Sequence, residues 1–317
     1  MRAIAMTGFD SGLALHDLPA PEPAADELLV RVRASSINPV DLLTAAGALR
    51  GMMEYEFPAI LGRDFAGVVE AVGPEVVGSK AGDAVLGYLA KPVVHDGAWA
   101  ERLTVPVDGF VVPKPDALDF ADAAALPVAG LTALAAVDAV DPHPGDVVLV
   151  IGAGGGVGSF AVQLAAQRGA TVIATAKPGD EQRLLDLGAA ETIDYTDQDL
   201  VTAVRERHPK GVRSVIDLVN HGDGFAPGAS LVQAGGRAAS PVGAANVDEL
   251  AARRITGTNV MASHPGPAGL ARLAESAATG ELKVVIDAIR PLEEVPAAVE
   301  EFARGKRGKV VVSIAGE

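Results

Sequence analysis

A cluster of glycines between an apolar segment and an amphipathic segment constrains the fold of this chain more than any other feature. The stretch VVLVIGAGGGVG, residues 147–158, has glycine at five of its last seven positions. The spacing Gly152-x-x-Gly155-x-x-Gly158 suits a tight turn after a strand, a position without Cβ where pyrophosphate can approach, and close packing of helix on strand. Free N–H groups at the helix start can then bind phosphate. The turn predicts a dinucleotide site, because a flexible linker, the alternative, is not expected inside a strand-turn-helix unit.

The segments around this turn alternate between short apolar strands and amphipathic helices. From DVVLVI onward the strand-like segments TVIATA, ETIDY and VRSVIDLV are separated by helix-like segments. A parallel sheet covered by helices on both faces requires this alternation. We therefore predict an α/β fold with a doubly wound parallel-sheet (Rossmann) domain over residues 121–283.

The first third of the chain contains short strand-like segments separated by turn clusters. Examples are ELLVRVRAS, FAGVVEAVG and WAERLTVP. Short strands at regular spacing predict a compact β-barrel or sandwich. Because 317 residues suit two domains, we assign residues 1–120 to a barrel-like catalytic domain and expect residues 284–317 to rejoin it.

The composition excludes several classes of function. The 26 Lys and Arg residues and 41 Asp and Glu residues give a net charge of −15, which repels nucleic acid and anionic membranes. The absence of cysteine excludes disulfides and Cys-containing zinc sites, and the six scattered histidines match no metal motif, so no metal is predicted. Without a long apolar run or a secretion signal, we expect no membrane partner and a cytoplasmic location.

The end of the strand after the glycine turn distinguishes NAD from NADP. An NAD enzyme usually carries an acid there, about 20 residues past the turn, to bond the ribose 2′-hydroxyl. In TVIATAKPGD the strand end carries Thr175 and Lys177 instead, which favours a 2′-phosphate and hence NADPH. The alternative for Lys177 is a solvated surface lysine. Asp180 is interpreted as the cap of the following helix.

Motifs along nearly the whole chain resemble the medium-chain dehydrogenase/reductase superfamily in its zinc-independent quinone oxidoreductase branch. They are SSINPVDLLTAAG (35–47), PAILGRDFAGVVEAVG (58–73), GAWAERLTVP (97–106), AAALPVAGLTAL (123–134), the glycine turn, LGAAETIDY (187–195), VIDLVN (215–220) and GKVVVSI (308–314). The resemblance implies a β-barrel domain similar to the small co-chaperonin fold, a nucleotide-binding domain inserted into it, an active-site cleft and a homodimer.

The chain departs from the zinc-binding members of that superfamily. Those members carry Cys in the segment that matches SSINPVD and a His-Glu pair at the positions of Arg63 and Asp64, and neither is present. Arg63 is either a cation of the cleft or an ion-pair partner of Asp64, and we favour the ion pair.

The resemblance also implies roles for individual residues. Asn38 and Pro39 would line the nicotinamide end, with Asp41 supporting their loop. The other implied cofactor residues are Thr132, Gly152, Gly154, Gly155, Gly156, Val157, Gly158, Tyr195, Asn220, Pro241, Val242, Gly243, Asn259 and Val260. Taken alone, Pro241 to Gly243 also read as a simple turn and Asp41 as a helix cap.

Without metal or a strong nucleophile, the expected chemistry is hydride transfer from NADPH to a quinone or a conjugated enone. The growing enolate oxygen needs a donor, which a backbone N–H, Asn38 or a cofactor hydroxyl could supply. Many relatives have a tyrosine soon after the N-P-x-D segment, where this chain has Ala48 and Leu49. Tyr55 is the nearest phenol and a candidate acid, although packing is the commoner role of a tyrosine.

Three functions are consistent with the sequence. The first is an NADPH-dependent quinone reductase. The second is an enoyl or enone reductase that acts on a biosynthetic, polyketide-like intermediate, and it differs from the first only in substrate. The third is an NADPH-binding sensor or structural partner with little turnover, because a fold alone does not guarantee activity.

Overall fold

The computed structural model describes residues 1–305 and 307–314. The chain divides into two compact units. Unit 1 contains Met1–Val128 and Gly266–Glu317, and unit 2 contains Ala129–Pro265.

Strands dominate the first third of the chain, and strands and helices alternate after it. The strands are β1 (Arg2–Met6), β2 (Ala14–Asp17), β3 (Glu27–Ile37), β4 (Glu54–Tyr55), β5 (Ala59–Ile60), β6 (Asp64–Val72), β7 (Ala84–Tyr88), β8 (Val93–Val94), β9 (Arg102–Pro106), β10 (Val111–Pro113), β11 (Val147–Ile151), β12 (Thr171–Ala176), β13 (Glu191–Asp194), β14 (Val212–Asp217), β15 (Val232–Ser240), β16 (Thr256–Asn259), β17 (Ile286–Pro291) and β18 (Lys309–Ser313). The α-helices are α1 (Pro39–Ala45), α2 (Phe120–Ala125), α3 (Pro127–Val140), α4 (Gly156–Gln167), α5 (Glu181–Asp186), α6 (Leu200–Arg207), α7 (Ala226–Ser230), α8 (Val247–Ala252), α9 (Gly266–Ala278) and α10 (Val295–Ala303). Short 3₁₀ helices lie at Gly222–Phe225 and Leu292–Glu294.

Unit 1 is built on a mixed sheet in the order β10-β7-β6-β3-β18-β17, with β9 also paired to β3. The long strand β3 is antiparallel to β6, β9 and β18, so it connects the two ends of the unit's sequence. In its first half, apolar Leu28, Val30 and Val32 alternate with more exposed residues and face the core. Trp99 and Phe65 are fully buried in the same core.

Unit 2 is a six-stranded sheet in the order β13-β12-β11-β14-β15-β16, and all of its strand pairs are parallel. Its central strands are apolar along nearly their whole length, because helices cover both faces of such a sheet. Leu149, Ile173 and Val215 are fully buried in its core. This architecture confirms the predicted α/β fold with a doubly wound parallel sheet.

The boundaries of the units differ from the predicted 1–120, 121–283 and 284–317. Residues 121–128 and 266–283 belong to unit 1. The reason is packing: α2 contacts β3 and β6, and α9 contacts β10. The amphipathic pattern of α9 predicts a helix but does not indicate which sheet it covers.

No helix in residues 1–305 and 307–314 has the length and apolar character needed to cross a membrane.

Two glycines of unit 1 have nearly the same backbone conformation in different surroundings, which gives a test of its core. Gly62 has a φ of 86°, and a Cβ built on it would lie 2.4 Å from Cδ1 of Trp99. Gly78 has a φ of 88° and open space around it. We expect Gly78→Ala to lower the free energy of unfolding by about 1–2 kcal/mol through backbone strain alone. Gly62→Ala should cost about 1–3 kcal/mol more, because it also displaces Trp99.

Urea unfolding followed by Trp99 fluorescence measures both variants, because Trp99 is the single tryptophan of the chain. Equal losses of stability in the two variants would contradict the close packing of Trp99 on Gly62.

Candidate functional site

The carboxyl ends of the parallel strands bring together the predicted cofactor residues of unit 2. One of these residues follows each strand immediately, or within three residues in the case of β14. They are Gly152 after β11, Lys177 after β12, Tyr195 after β13, Asn220 after β14, Pro241 after β15 and Val260 after β16. The strand order reverses between β11 and β14. Ligands of open α/β sheets bind at such a reversal, outside the carboxyl ends of the strands.

The glycine turn has the geometry of a phosphate-binding turn. Gly152 has a φ of 85°, which favours glycine. A Cβ on Gly158 would lie 2.3 Å from the carbonyl oxygen of Gly152, so only glycine allows α4 to approach β11 this closely. A Cβ on Gly155 would meet only the Gly152 carbonyl oxygen, at 3.5 Å. The turn thus leaves space at Gly155, immediately before the first N–H groups of α4.

Asp180 and Arg183, rather than Lys177, flank the glycine turn. A Cβ on Gly154 would lie 3.2 Å from Oδ2 of Asp180 and 3.5 Å from Nη2 of Arg183. Arg183 pairs with Asp180 at 3.2 Å and donates a hydrogen bond of 3.2 Å from Nη2 to the Gly154 carbonyl oxygen. Lys177 is exposed at the strand end. Asp180 is the N-cap residue of α5, as predicted, although its carboxylate makes no cap hydrogen bond and instead lies near Gly154 of the turn.

Several other predicted cofactor residues have side chains that shape the strand ends. The Thr175 hydroxyl accepts a 2.9 Å hydrogen bond from the Gly152 N–H. The Asn220 amide donates to Asp217 at 2.9 Å, and the Asn259 amide bonds both backbone groups of Ala245. Because these side chains are hydrogen-bonded within the protein, a ligand at the strand ends would contact mainly backbone groups of the loops.

The remaining predicted cofactor residues differ widely in exposure. The Tyr195 side chain is exposed, Thr132 is buried in α3, and Val260 is buried after β16. Val157 is half-buried in the first turn of α4, and Val242 is half-buried beside Gly243, whose φ is 74°. The cofactor roles of all these residues stay predictions.

In unit 1, a fully buried polar cluster is centred on Asp64. Oδ2 of Asp64 accepts hydrogen bonds from the Ser36 hydroxyl at 2.6 Å and the Asn38 amide at 2.8 Å. Oδ1 accepts from the Val128 N–H at 2.9 Å. Nζ of Lys309 lies 3.4 Å from Oδ2 of Asp64 and donates to Oδ1 of Asn38 at 2.6 Å. The cluster therefore fixes the Asn38 amide in one orientation, with its oxygen on Lys309 and one N–H on Asp64.

Burial changes the acid-base properties of two groups in this region. Burial lowers the pKa of Lys309, and the nearby carboxylates of Asp64 and Asp41 oppose the change. Burial raises the pKa of Asp41 to about 7, although its carboxylate accepts the Asn38 N–H at 2.8 Å. Asp41 is the third residue of α1, and its hydrogen bond to the backbone of the N-cap residue Asn38 fixes the start of that helix. A carboxyl that titrates near neutrality can also hold or release a proton.

Tyr55 lies in an aromatic cluster and not in the polar cluster. Its hydroxyl donates to the Thr44 carbonyl oxygen at 3.1 Å, and its ring contacts Phe9 and Phe57. Burial raises its pKa, so the phenol stays protonated at neutral pH. This environment explains a packing role directly, and the catalytic role of Tyr55 stays a prediction.

The favoured ion pair between Arg63 and Asp64 is wrong. Asp64 is the first residue of β6 and lies in the polar cluster, whereas Arg63 precedes the strand and lines a separate cavity. Among the residues that the structure describes, Arg63 donates to the Leu89 carbonyl oxygen at 3.5 Å and to Sδ of Met53 at 3.4 Å. Arg63 instead lines a small cavity of unit 1 together with Lys91, and its alternative interpretation as a cation of the active-site cleft stays a prediction.

The side chains at the positions of the superfamily's zinc ligands do not fit a metal. Arg63 is a cation, and both carboxylate oxygens of Asp64 are occupied by hydrogen bonds and an ion pair. Within residues 1–305 and 307–314, no group of three or more His, Asp or Glu side chains could hold a metal ion.

Lys309, Asp64 and Ser36 were not predicted from the sequence as members of one cluster. A signal existed, because a lysine at the start of the apolar strand KVVVS and an aspartate beside a phenylalanine in β6 are unusual in a core. The pairing of Lys309 with Asp64 could not be derived, because the two residues are 245 positions apart in the chain.

Two protein families match separate parts of the chain. The Alcohol dehydrogenase GroES-like domain family matches residues 24–116, and the Zinc-binding dehydrogenase family matches residues 187–312. The synaptic vesicle membrane protein VAT-1 homolog of Homo sapiens is 31% identical to this chain, in an alignment that covers 98% of this chain and 86% of that protein. The chloroplast envelope quinone oxidoreductase homolog of Arabidopsis thaliana is 37% identical over 198 residues, which cover 59% of this chain and only 58% of that relative.

Solved structures agree over nearly the whole chain. The quinone oxidoreductase of Coxiella burnetii is 32% identical, has a TM-score of 0.90 and covers 99% of both chains. The Escherichia coli quinone oxidoreductase complexed with NADPH is 26% identical, has a TM-score of 0.85 and covers 98% of both chains. This chain therefore belongs to the medium-chain dehydrogenase/reductase superfamily, in its quinone-oxidoreductase-like branch. It combines a GroES-like domain with a Rossmann domain and is an oxidoreductase of that family.

The buried ion pair gives the first prediction from the site. Lys309→Met leaves the Asp64 carboxylate buried without its cation, so it should lower the free energy of unfolding by about 3–5 kcal/mol. Adding Asp64→Asn removes the uncompensated charge and should recover at least about 1 kcal/mol. Urea unfolding followed by Trp99 fluorescence measures both. Lys80→Met at an exposed position is the control and should change stability by less than about 0.5 kcal/mol; an equally mild effect of Lys309→Met would contradict the ion pair.

Asp41 gives a pH-dependent prediction. Its folded pKa of about 7 lies above the value of 3.8 for an unperturbed Asp, so the folded state binds more protons between these values. The contribution of Asp41 to stability is therefore fully present below about pH 4 and is lost as pH rises through about 7. Asp41→Asn keeps an acceptor for the Asn38 N–H but removes this titration. The difference in free energy of unfolding between wild type and Asp41→Asn should fall by a few kcal/mol from pH 4 to pH 8, at about 1.4 kcal/mol per pKa unit. A difference independent of pH would refute the raised pKa.

Proposed function

We propose that this protein is an NADPH-dependent, metal-independent reductase of quinones or conjugated enones. The observation that carries the proposal is the glycine turn at the strand-order reversal of a six-stranded parallel sheet, in a chain of the quinone-oxidoreductase-like branch. The names of the Coxiella burnetii and Arabidopsis thaliana proteins support quinones as the acceptor class. The homodimer and the cytoplasmic location remain predictions.

The strand end after β12 supports NADPH over NADH. The acid nearest the turn, Asp180, is buried and already pairs with the Arg183 guanidinium, so it is a poor free acceptor for a ribose hydroxyl. Arg183 and exposed Lys177 place two cations near the strand end for a 2′-phosphate. The Escherichia coli relative, whose structure contains NADPH, supports the same choice.

The residues of this chain would bind and orient the reactants, and the cofactor would supply the hydride. The N–H groups at the start of α4 hold the pyrophosphate, and the loops after β14, β15 and β16 contact the remainder of the dinucleotide. The polar cluster holds Asn38 and the start of α1 rigidly. One N–H of the Asn38 amide donates to Asp64, and the amide oxygen accepts from Lys309. The second N–H could then donate to another acceptor. Solvent would supply the proton that completes reduction of the acceptor.

Turnover is the direct test of this function. The purified protein with NADPH and a panel of quinones and linear enones should oxidise NADPH at 340 nm with at least one acceptor, and the preferred acceptor distinguishes the quinone and enone alternatives. Micromolar NADPH binding without turnover of any acceptor would contradict the proposal and favour the sensor.

The cofactor assignment makes a separate prediction. Lys177→Glu should weaken NADPH binding about tenfold or more and leave NADH binding unchanged, because only NADPH carries the 2′-phosphate. Lys210→Glu is a matched control: it makes the same charge change at an exposed position just before β14, at the opposite end of the sheet. Cofactor titration followed by nucleotide fluorescence measures both. An unchanged ratio of NADPH to NADH affinity in Lys177→Glu would refute the role of Lys177.

A further inference from the structure

Arg63 is a half-buried cation without a carboxylate partner among the residues that the structure describes. Its hydrogen bonds, to the Leu89 carbonyl oxygen and to Sδ of Met53, are long and involve a neutral and a weak acceptor. A guanidinium has five N–H donors in a planar fork. In a protein with a net charge of −15, a half-buried arginine would normally be paired with an acid.

The other charged side chains that line the cavity around Arg63 have partners of their own. Lys91 lies 3.4 Å from Glu27 and 3.5 Å from Asp96, and it donates to the Thr104 hydroxyl at 3.0 Å. Asp41 accepts the Asn38 N–H, and burial raises its pKa to about 7 although the charge of Arg63 opposes that rise, so its carboxyl is only about half ionised at pH 7. Of the two cations that line this cavity, Lys91 makes close ion pairs, whereas Arg63 makes none among the residues that the structure describes and has only the partly ionised Asp41 nearby.

The cavity itself is small. It has a volume of about 30 Å³, opens to solvent and lies between Arg63, Asp41, Thr44 and Met53. Its wall is held by two glycines: a Cβ on Gly62 would strike Trp99, and a Cβ on Gly97 would lie 2.3 Å from the Leu61 carbonyl oxygen. A small cavity that is open to solvent and has a planar donor group at its wall can admit only the flat, oxygen-bearing end of a small molecule.

We propose that Arg63 binds a planar oxyanion of the electron acceptor in this cavity, an inference that rests on the proposed reductase function. The guanidinium donates two parallel hydrogen bonds to the two oxygens of a carboxylate, or two converging hydrogen bonds to the single oxygen of an enolate. Two parts of an acceptor present this chemistry: a permanent carboxylate, or the enolate oxygen that develops at the reduced carbonyl. A carboxylate would be held in the ground state and the transition state alike, whereas an enolate would be stabilised only as charge develops.

The test compares wild type with Arg63→Met, which removes the charge, and with Arg63→Lys, which keeps the charge but loses the fork. Arg102→Met is the matched control, because Arg102 pairs with Glu70 on the surface of the same unit. NADPH binding and Trp99 emission should match wild type in all three variants, which shows that the variants are folded. Benzoate, a planar carboxylate, is titrated by calorimetry, and steady-state rates are measured with a neutral enone and with an enone that carries a carboxylate.

Benzoate affinity should fall about ten- to hundredfold in Arg63→Met, fall less in Arg63→Lys and stay unchanged in Arg102→Met. If the bound group is a carboxylate, the KM of Arg63→Met rises for the acidic enone alone; if it is an enolate, kcat falls for both enones. Equal benzoate affinity in wild type and Arg63→Met, together with unchanged KM and kcat for both enones, would overturn the proposal. If wild type oxidises no NADPH with any acceptor, the reductase function fails, and benzoate binding alone then decides whether Arg63 forms an anion site.

Discussion

The fully buried carboxylate of Asp64 is the interaction on which the geometry of unit 1 depends. It collects hydrogen bonds from Ser36 and Asn38 on one side and from Val128 on the other, and it pairs with Lys309. A buried charge is tolerated only when such partners are all in place. The ends of β3 and β18 and the start of α3 must therefore meet β6 together, and that requirement holds the beginning of α1 in a single position.

In unit 2, the direction of the strands determines where the loops lie. Because its strands are all parallel, their carboxyl ends share one edge, and each following loop contributes to one surface. The side chains at that edge are mostly bound to the protein itself, as the Thr175, Asn220 and Asn259 contacts show. Recognition of a dinucleotide there would depend mainly on backbone N–H groups and on the charges of Lys177 and Arg183, since the overall charge of the protein repels anions.

The sequence predicts local patterns well and side-chain partners poorly, and particular residues show why. The parallel sheet follows from apolar strands that alternate with amphipathic helices, and the roles of Gly152 and Gly158 follow from their spacing. Partners depend on contacts between distant parts of the chain. Arg63 and Asp64 are adjacent in the sequence and were therefore expected to form an ion pair, but Asp64 lies in the polar cluster while Arg63 lines a separate cavity, and the Lys309 partner of Asp64 is 245 residues away. The placement of α9 with unit 1 was missed for the same reason.

The resemblance to the zinc-binding members of the superfamily implies that Arg63 stands at the position of one of their metal ligands. Zinc polarises an oxygen by direct coordination from any direction within its shell, whereas a guanidinium acts through N–H groups in one plane. Exchange of the first for the second makes recognition depend on the flatness and orientation of the acceptor's oxygen-bearing end. A quinone or a conjugated enone is planar at that end, so the chemistry of Arg63 and the proposed class of acceptor are mutually consistent. Because Asp64 pairs with Lys309 instead of Arg63, the guanidinium makes only long hydrogen bonds to Leu89 and Met53 and is available for that role.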